Sequence, residues 1–355
     1  MAAKKRKKRA KKRRPSPVVR AFKGLYATLV VFSAIVVGLY GLYKFSAQKP
    51  TMEGSETPPR PTSNIVVTDN PDTKDDESQY LVRKKDTWTF LLVAKDQVSG
   101  STDTIMVCTY DTANQKVGLV SIPRDTLVVR EGWKYRRINA AYASGGMEEL
   151  MAAAGEILGF PIDHYVLINT KIFVELIDAV GGVDFDVPVH MAYDDPYQDL
   201  HIHFEPGLQR LSGKEALEVV RCRKNSDGPE GREIYDAYPD ADIGRTRTQQ
   251  AMVKTVAKKV LSQPQKLGDY IRLFFQYVDT DLTLGNMLWF AEPALGFDFE
   301  DLTTATLPGN GNATWGNLTY LYALDVEDSL EIINDCLNPY TTPITKDMVK
   351  MPQGK

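Results

Sequence analysis

LLVAKDQVSGSTDTIMVCTYDTANQKVGLVSIPRD, running from Leu91 to Asp125, decides the reading of this chain. Apolar, β-branched runs at 87–94, 104–110 and 116–122 predict three neighbouring strands. Asp111-Thr-Ala-Asn114 between the last two has the composition of a tight turn. Asp96 closes the first run, Asp103 opens the second, and Pro123-Arg124-Asp125 closes the third. With the outer strands running in one direction, Asp96 and Arg124-Asp125 fall at the same sheet edge. Asp103 joins them because the middle strand, antiparallel to the third, begins there. Open α/β sheets hold ligands at their strand ends. Three carboxylates and a guanidinium at one edge suit a divalent cation with a phosphate. The same residues also serve as ordinary polar strand terminators, and this stretch alone leaves both readings open.

Working outward towards the N-terminus, charge is distributed unevenly. Residues 1–23 hold twelve Lys or Arg and no acid, which leaves 31 basic against 46 acidic side chains, or −15, for the rest of the 355 residues. Residues 24–43 (GLYATLVVFSAIVVGLYGLY) contain no charge. As a helix they span about 30 Å, the hydrocarbon thickness of a bilayer. Tyr26, Tyr40 and Tyr43 stand at the two ends, where interfacial aromatics belong. The preceding basic tail predicts a cytoplasmic N-terminus and an extracytoplasmic remainder. A cleaved signal peptide is the rival reading, with Phe45-Ser-Ala47 as a weak cleavage site. Residues 44–85, rich in Pro, Ser, Thr and acid, predict a flexible stalk. A catalytic domain is expected over 86–340 and a tail over 341–355. The basic tail lies against the membrane and shows neither a helix-turn-helix pattern nor interleaved aromatics, so no nucleic-acid partner is expected.

Towards the C-terminus, helices and strands alternate. Helices are expected at 147–158, 170–180, 213–220, from Asp242 to near Ser262, to about 277, at 284–294 and at 326–337. Strands are expected at 164–169, 183–187, 302–307 and 318–323, with a Gly/Asn turn at 309–312. This order predicts an α/β domain with a mixed central sheet and helices on both faces. Ser212-Gly-Lys-Glu215 is a capping box. Arg221 and Arg223 point the same way if extended, and residues 225–241 read as a polar, flexible loop. Asp242 is a candidate N-cap, which places Arg245 in the first turn, where a cation opposes the helix dipole. An anion on the exposed N–H groups would explain it. His201 and His203 share a strand face, and no third metal ligand of the right type stands near them in the sequence. The three cysteines match no metal motif; Cys108 and Cys222 fall in strand-like runs, and a bridge between them would need those strands to be adjacent.

Asp96, Thr102-Asp-Thr104, Val120-Ser-Ile-Pro-Arg-Asp125, Ile138-Asn-Ala-Ala-Tyr-Ala143, Gly181-Gly-Val-Asp184, Leu211-Ser-Gly-Lys-Glu-Ala216, Val220-Arg-Cys-Arg223 and Asp242-Ile-Gly-Arg245 occur in this order. Together they resemble the LytR–CpsA–Psr family, whose members attach glycopolymers such as teichoic acids or capsule to bacterial peptidoglycan. The resemblance implies a polyprenyl-diphosphate-linked donor whose lipid lies in an apolar tunnel. It also implies Mg²⁺ or Mn²⁺ on Asp96 and Asp103, and a diphosphate gripped by Arg124, Arg137, Arg221, Arg223 and Arg245. Asp125 or Asp242 would hold an arginine in place or take the acceptor's proton. Apolar lining is expected from helices 147–158 and 170–180 or from the 273–275 region. The chain departs from the family pattern at Val98, near the usual place of an arginine, at Thr102 in place of Ser, and at Thr248, with Arg247 one position early. Two alternatives use other logic: a hydrolase that passes the donor to water through the same residues, and a non-enzymatic membrane-bound regulator.

Overall fold

The computed structural model describes residues 41, 43–51, 81–95, 102–195, 200–228 and 234–354. The segments 1–40 and 52–80, Asp96 and Val98 lie outside them, so the basic tail, nearly all of the apolar run and most of the stalk do too. The chain divides at Gln48 into two units. Of the first, residues 43–46 are helical. The second, from Lys49 onward, holds the domain.

Three strands follow one another as expected: β1 (Thr87–Lys95), β2 (Thr102–Asp111) and β3 (Lys116–Ser121). Asp111 builds the turn between the last two, its carboxylate accepting from the amides of Ala113 and Asn114. Helix α1 (Asn139–Leu158) leads through β4 (His164–Asn169) into α2 (Thr170–Ala179). Strands β5 (Val183–Val187), β6 (Met191–Asp195), β7 (Leu200–Phe204) and β8 (Gly207–Leu211) come next. Then follow α3 (Gly213–Arg221), the short pair β9 (Lys224–Asn225) and β10 (Tyr235–Asp236), and α4 (Asp242–Leu261). The chain closes with α5 (Leu267–Tyr277), β11 (Asp279–Thr280), α6 (Leu284–Ala294), β12 (Leu302–Thr306), β13 (Gly309–Trp315), β14 (Leu318–Leu324) and α7 (Val326–Ile332).

The main sheet has the order β11-β4-β1-β2-β3-β12. It is mixed: β1 pairs with β4 and β3 with β12 in parallel, while β2 runs antiparallel to both its neighbours. Side chains of a strand alternate between faces, and here both faces are covered. Leu91, Val93, Ile105, Val107 and Val120 pack against α1 and the residues around Ile333 and Leu337. Trp88, Phe90 and Tyr110 point the other way, onto Met287 of α6 with Ile271 and Phe274 of α5. A second layer is built from the antiparallel pair β5–β8 and the pair β6–β7 inserted between them in the chain, with α2, α3 and α4, around Val183, Phe185, Ile202 and Val219.

Several boundaries differ from expectation. Helix α1 starts eight residues earlier than the periodicity suggested, because Asn139-Ala-Ala-Tyr-Ala-Ser144 is itself a helical turn. Gly145 and Gly146 then break the helical dihedrals within it, Gly146 at φ +68°. The domain begins by Leu81 rather than Asp86: Leu81 packs on the core, and Arg83 makes an ion pair with the fully buried Asp163. Residues 341–354, expected as a tail, join the core through Ile344 and Met351. The expected Gly/Asn turn at 309–312 is part of β13, which pairs with β14. Cys222 caps the end of α3 rather than sitting in a strand, and Cys108 and Cys222 are both free thiols. Burial pushes each of them up to about 12.

Candidate functional site

Strand ends create the site. β1 stops at Lys95, β2 begins at Thr102-Asp103, and Pro123 turns the chain after β3. That turn is closed by Thr126, whose amide and hydroxyl both donate to the Pro123 carbonyl at 2.9 and 2.6 Å. It lifts Arg124 and Asp125 off the sheet. Arg124 Nη1 donates to Asp103 Oδ1 at 2.7 Å. Arg124 Nε lies 3.6 Å from Asp125 Oδ2, and Arg137 Nε reaches Asp125 Oδ1 at 3.1 Å.

The second layer supplies the opposite wall. α3 ends on Arg221, and Arg223 follows the cap, so a helix end rather than an extended run brings both arginines to the cavity. Ala241, at φ +51°, precedes α4, so Asp242 is the first helical residue and not the N-cap. A carboxylate there suits the positive end of the helix dipole. It also pairs with Arg245 Nη2 at 2.8 Å and with Arg223 Nε at 3.5 Å. Arg245 is only 5% exposed, and its buried Nε has no hydrogen-bond partner among the described residues. Burial lowers its pKa, opposed by Asp242 and reinforced by the cations Arg124 and Arg223. Burial alone would lower Arg124 as well, but Asp103 and Asp242 outweigh it and hold that guanidinium above its ordinary value.

Between sheet and second layer lies a cavity of about 580 Å³. One part is polar, lined by Lys95, Asp103, Arg124, Arg221, Arg223 and Arg245. The lining also includes the apolar side chains of Met106, Phe173, Leu200, Leu217, Val220 and Met252. Of the apolar sources expected, α2 contributes through Phe173; residues 147–158 and 273–275 do not line the cavity, because they pack on the two faces of the main sheet. Arg137 is also absent from the lining. It joins the site through Asp125 and donates to the carbonyl of Thr319 at 3.0 Å.

Sequence reasoning missed four contributors. Tyr238, in the stretch read as flexible, is buried, donates to Thr248 Oγ1 at 3.0 Å, and stacks on Gly244 so closely that a Cβ there would sit 2.5 Å from its ring. Gln250 pins α4 to the sheet through Ser121 Oγ at 2.8 Å and Ala305 O at 2.6 Å. Lys95 and Lys224 add two cations to the lining. Buried hydroxyls and amides carry no periodic signal, so nothing local announced the first two. Arg247 does not replace the missing family arginine: it pairs with Asp240 and faces a separate cleft beside Thr304–Thr306.

Asp103 is the one carboxylate among the described lining residues, and among the described residues no three His, Cys, Asp or Glu side chains form a metal cage. A hard cation fits this donor set if a bound phosphate supplies further oxygens. Lys, Arg and one acid in a lining that also holds apolar side chains are the complement of an amphiphile with an anionic head.

The LytR_cpsA_psr family model matches residues 60–335. The chain belongs to the LytR–CpsA–Psr family. Among its relatives is the polyisoprenyl-teichoic acid–peptidoglycan teichoic acid transferase TagU of Bacillus cereus (strain AH820), 31% identical over 255 residues, covering 69% of this chain and 76% of that protein. TagV of Bacillus subtilis (strain 168), which bears the same transferase name, is 28% identical over 232 residues, 64% of this chain and 56% of that one. The crystal structure of B. subtilis TagV superposes with a TM-score of 0.59 at 25% identity, covering 71% of this chain and 96% of that one. The mixed α/β architecture of this LytR–CpsA–Psr domain is the architecture of that structure.

Proposed function

We propose that this protein transfers a glycopolymer from a polyprenyl diphosphate carrier to a peptidoglycan hydroxyl, releasing polyprenyl phosphate. Residues 24–43 anchor it in the cell membrane, the N-terminus is cytoplasmic, and the catalytic domain stands outside on residues 44–80. One observation carries the reading: a single cavity is lined by four arginines and by a group of apolar side chains, the two environments that a diphosphate on a long hydrocarbon needs together.

In this scheme Arg124, Arg221, Arg223 and Arg245 bind the diphosphate, with the unpartnered Nε of Arg245 offering a buried donor. Mg²⁺ or Mn²⁺ would rest on Asp103, with Asp96, and on the donor's own oxygens, adding charge neutralisation to that of the arginines. The acceptor oxygen attacks the phosphorus attached to the glycan. A new P–O bond forms there as the bond to the bridging oxygen breaks, and the bridging oxygen leaves on the lipid's phosphate. Asp242, held between Arg245 and Arg223, positions those two cations. Asp125 joins Arg124 to Arg137 at the edge of the site and is the carboxylate we assign to the acceptor's proton.

The test is product analysis with the full chain in membranes, a radiolabelled polyprenyl-diphosphate glycan and peptidoglycan. Label in the wall fraction together with free polyprenyl phosphate is the expected result. Free glycan phosphate with an unlabelled wall would make the protein a hydrolase, and an unconsumed donor would remove the enzymatic reading.

A further inference from the structure

The hairpin β13–β14 takes no part in lining the donor cavity, and its composition is its own. GNGNATWGNLTY, from Gly309 to Tyr320, holds three Asn, two Thr and two aromatic residues and no acidic or basic side chain, in a protein in which a quarter of the residues are charged. Trp315, Leu318 and Tyr320 are 37%, 42% and 73% exposed. Tyr320 adopts φ +56°, a conformation that bulky L residues rarely occupy. Packing of its ring does not impose this, since the ring stands in solvent.

The backbone is what is held. Arg137 Nη2 donates to the carbonyls of Thr319 at 3.0 Å and Tyr320 at 3.4 Å, while its Nε lies 3.1 Å from Asp125. Two residues on, the Tyr322 amide donates to the Asp125 carbonyl at 2.9 Å, and the Tyr322 carbonyl accepts from Leu127 at 2.8 Å. Tyr320 is therefore fixed relative to Asp125 by one guanidinium and one strand register. Tyr135, two residues before Arg137, is also 54% exposed.

We propose that the tip of this hairpin, with Tyr320 as its anchor, binds the sugar rings of the acceptor glycan strand and presents a hydroxyl towards Asp125. The inference rests on the transfer reading above. A sugar ring offers an apolar C–H face and a rim of neutral hydroxyls. An exposed aromatic face covers the first, and the Asn and Thr side chains match the second. Exposed apolar residues rimmed by polar ones mark binding surfaces. The hairpin itself carries no Lys or Arg, and the neighbouring Arg137 is engaged by Asp125 and the Thr319 and Tyr320 carbonyls, which argues against an anionic lipid surface or a peptide carboxylate.

The experiment uses the full chain in detergent, with a soluble β-1,4-linked N-acetylglucosamine oligosaccharide as probe and wild type, Tyr320→Ala and Tyr320→Phe compared. Wild type and Tyr320→Phe bind the probe, and Tyr320→Ala binds it roughly five- to tenfold more weakly. In the transfer assay, Tyr320→Ala raises the KM for acceptor by a similar factor and leaves the KM for donor unchanged. Equal acceptor KM and probe affinity in all three proteins overturns the proposal while leaving the transfer reading intact. Tyr320-dependent probe binding without any transfer keeps the platform and removes the transfer reading. Absent probe binding, with Trp315-dependent fluorescence quenching in brominated-lipid vesicles, makes the hairpin a membrane contact and overturns it.

Discussion

Arg124 Nη1 and Asp103 Oδ1 stand 2.7 Å apart, and the two residues belong to different strand ends of the same sheet edge. Their side chains are 20% and 33% exposed, so this ion pair faces the cavity rather than the core. A half-open pair of this kind contributes little to stability. Arg124→Ala and Asp103→Ala should therefore leave the melting temperature nearly unchanged. Transfer should fall on the order of 10²-fold or more, as when an electrostatic donor is removed from a transition state. A variant that keeps its activity would take the pair out of the chemistry.

Arg245 tests the value of a planar fork. Arg245→Lys keeps the charge but not the two-pronged geometry towards Asp242 and the donor. It should raise the donor KM by about tenfold or more, while circular dichroism stays native. Arg245→Ala strips a buried partner from Asp242 and should cost stability of about 1–3 kcal/mol in denaturant titrations. If Lys restores full donor affinity, the diphosphate is held by charge alone.

The apolar lining predicts dependence on lipid length. Leu217→Trp places a ring among Phe173, Val220 and Met252. Donors carrying a long polyprenyl chain should bind less well, and donors with a short chain should be spared. Equal losses for both would mean that the hydrocarbon lies elsewhere.

Gly244 and Tyr238 form a packed pair that can be tested by a double-mutant cycle. Gly244→Ala drives a methyl to about 2.5 Å from the Tyr238 ring, an overpacking that costs about 1–3 kcal/mol. Tyr238→Ala opens a void and costs stability as well. Combining them should cost less than the two single losses added together, because the clash disappears with the ring. Simple additivity would separate the two residues.

His190 ties the second layer together by bridging Asp227 at 2.7 Å and Glu205 at 3.1 Å. The hydrogen bond to Asp227 is the main reason its pKa lies above the ordinary 6.5; burial opposes it, and the hydrogen bond to Glu205 adds a lesser share. A histidine raised on folding stabilises fully at pH below 6.5 and loses that contribution as pH climbs through the raised value. As the pH is raised from 6.5, the melting temperature of wild type should fall slightly relative to that of His190→Gln. Parallel curves would show that the bridge is not charged.

The amino-acid sequence by itself determined the sheet edge. Alternating β-branched runs, the Asp111 turn and the Pro123 break are local signals, and each formed where neighbouring residues predicted it. The ordered motifs placed the chain in its family, and the capping box at Ser212 formed as written. What only the tertiary structure decided depends on pairs far apart in the chain. Gln250 meets Ser121 across 129 positions, Arg137 turns to Asp125 and the β13–β14 hairpin instead of the cavity, and Tyr238 leaves a polar stretch to cover Gly244. Residues 341–354 complete a core that the first strands began. Such contacts follow from how volume is filled and which buried polar groups find partners, and neither leaves a period in the sequence to read.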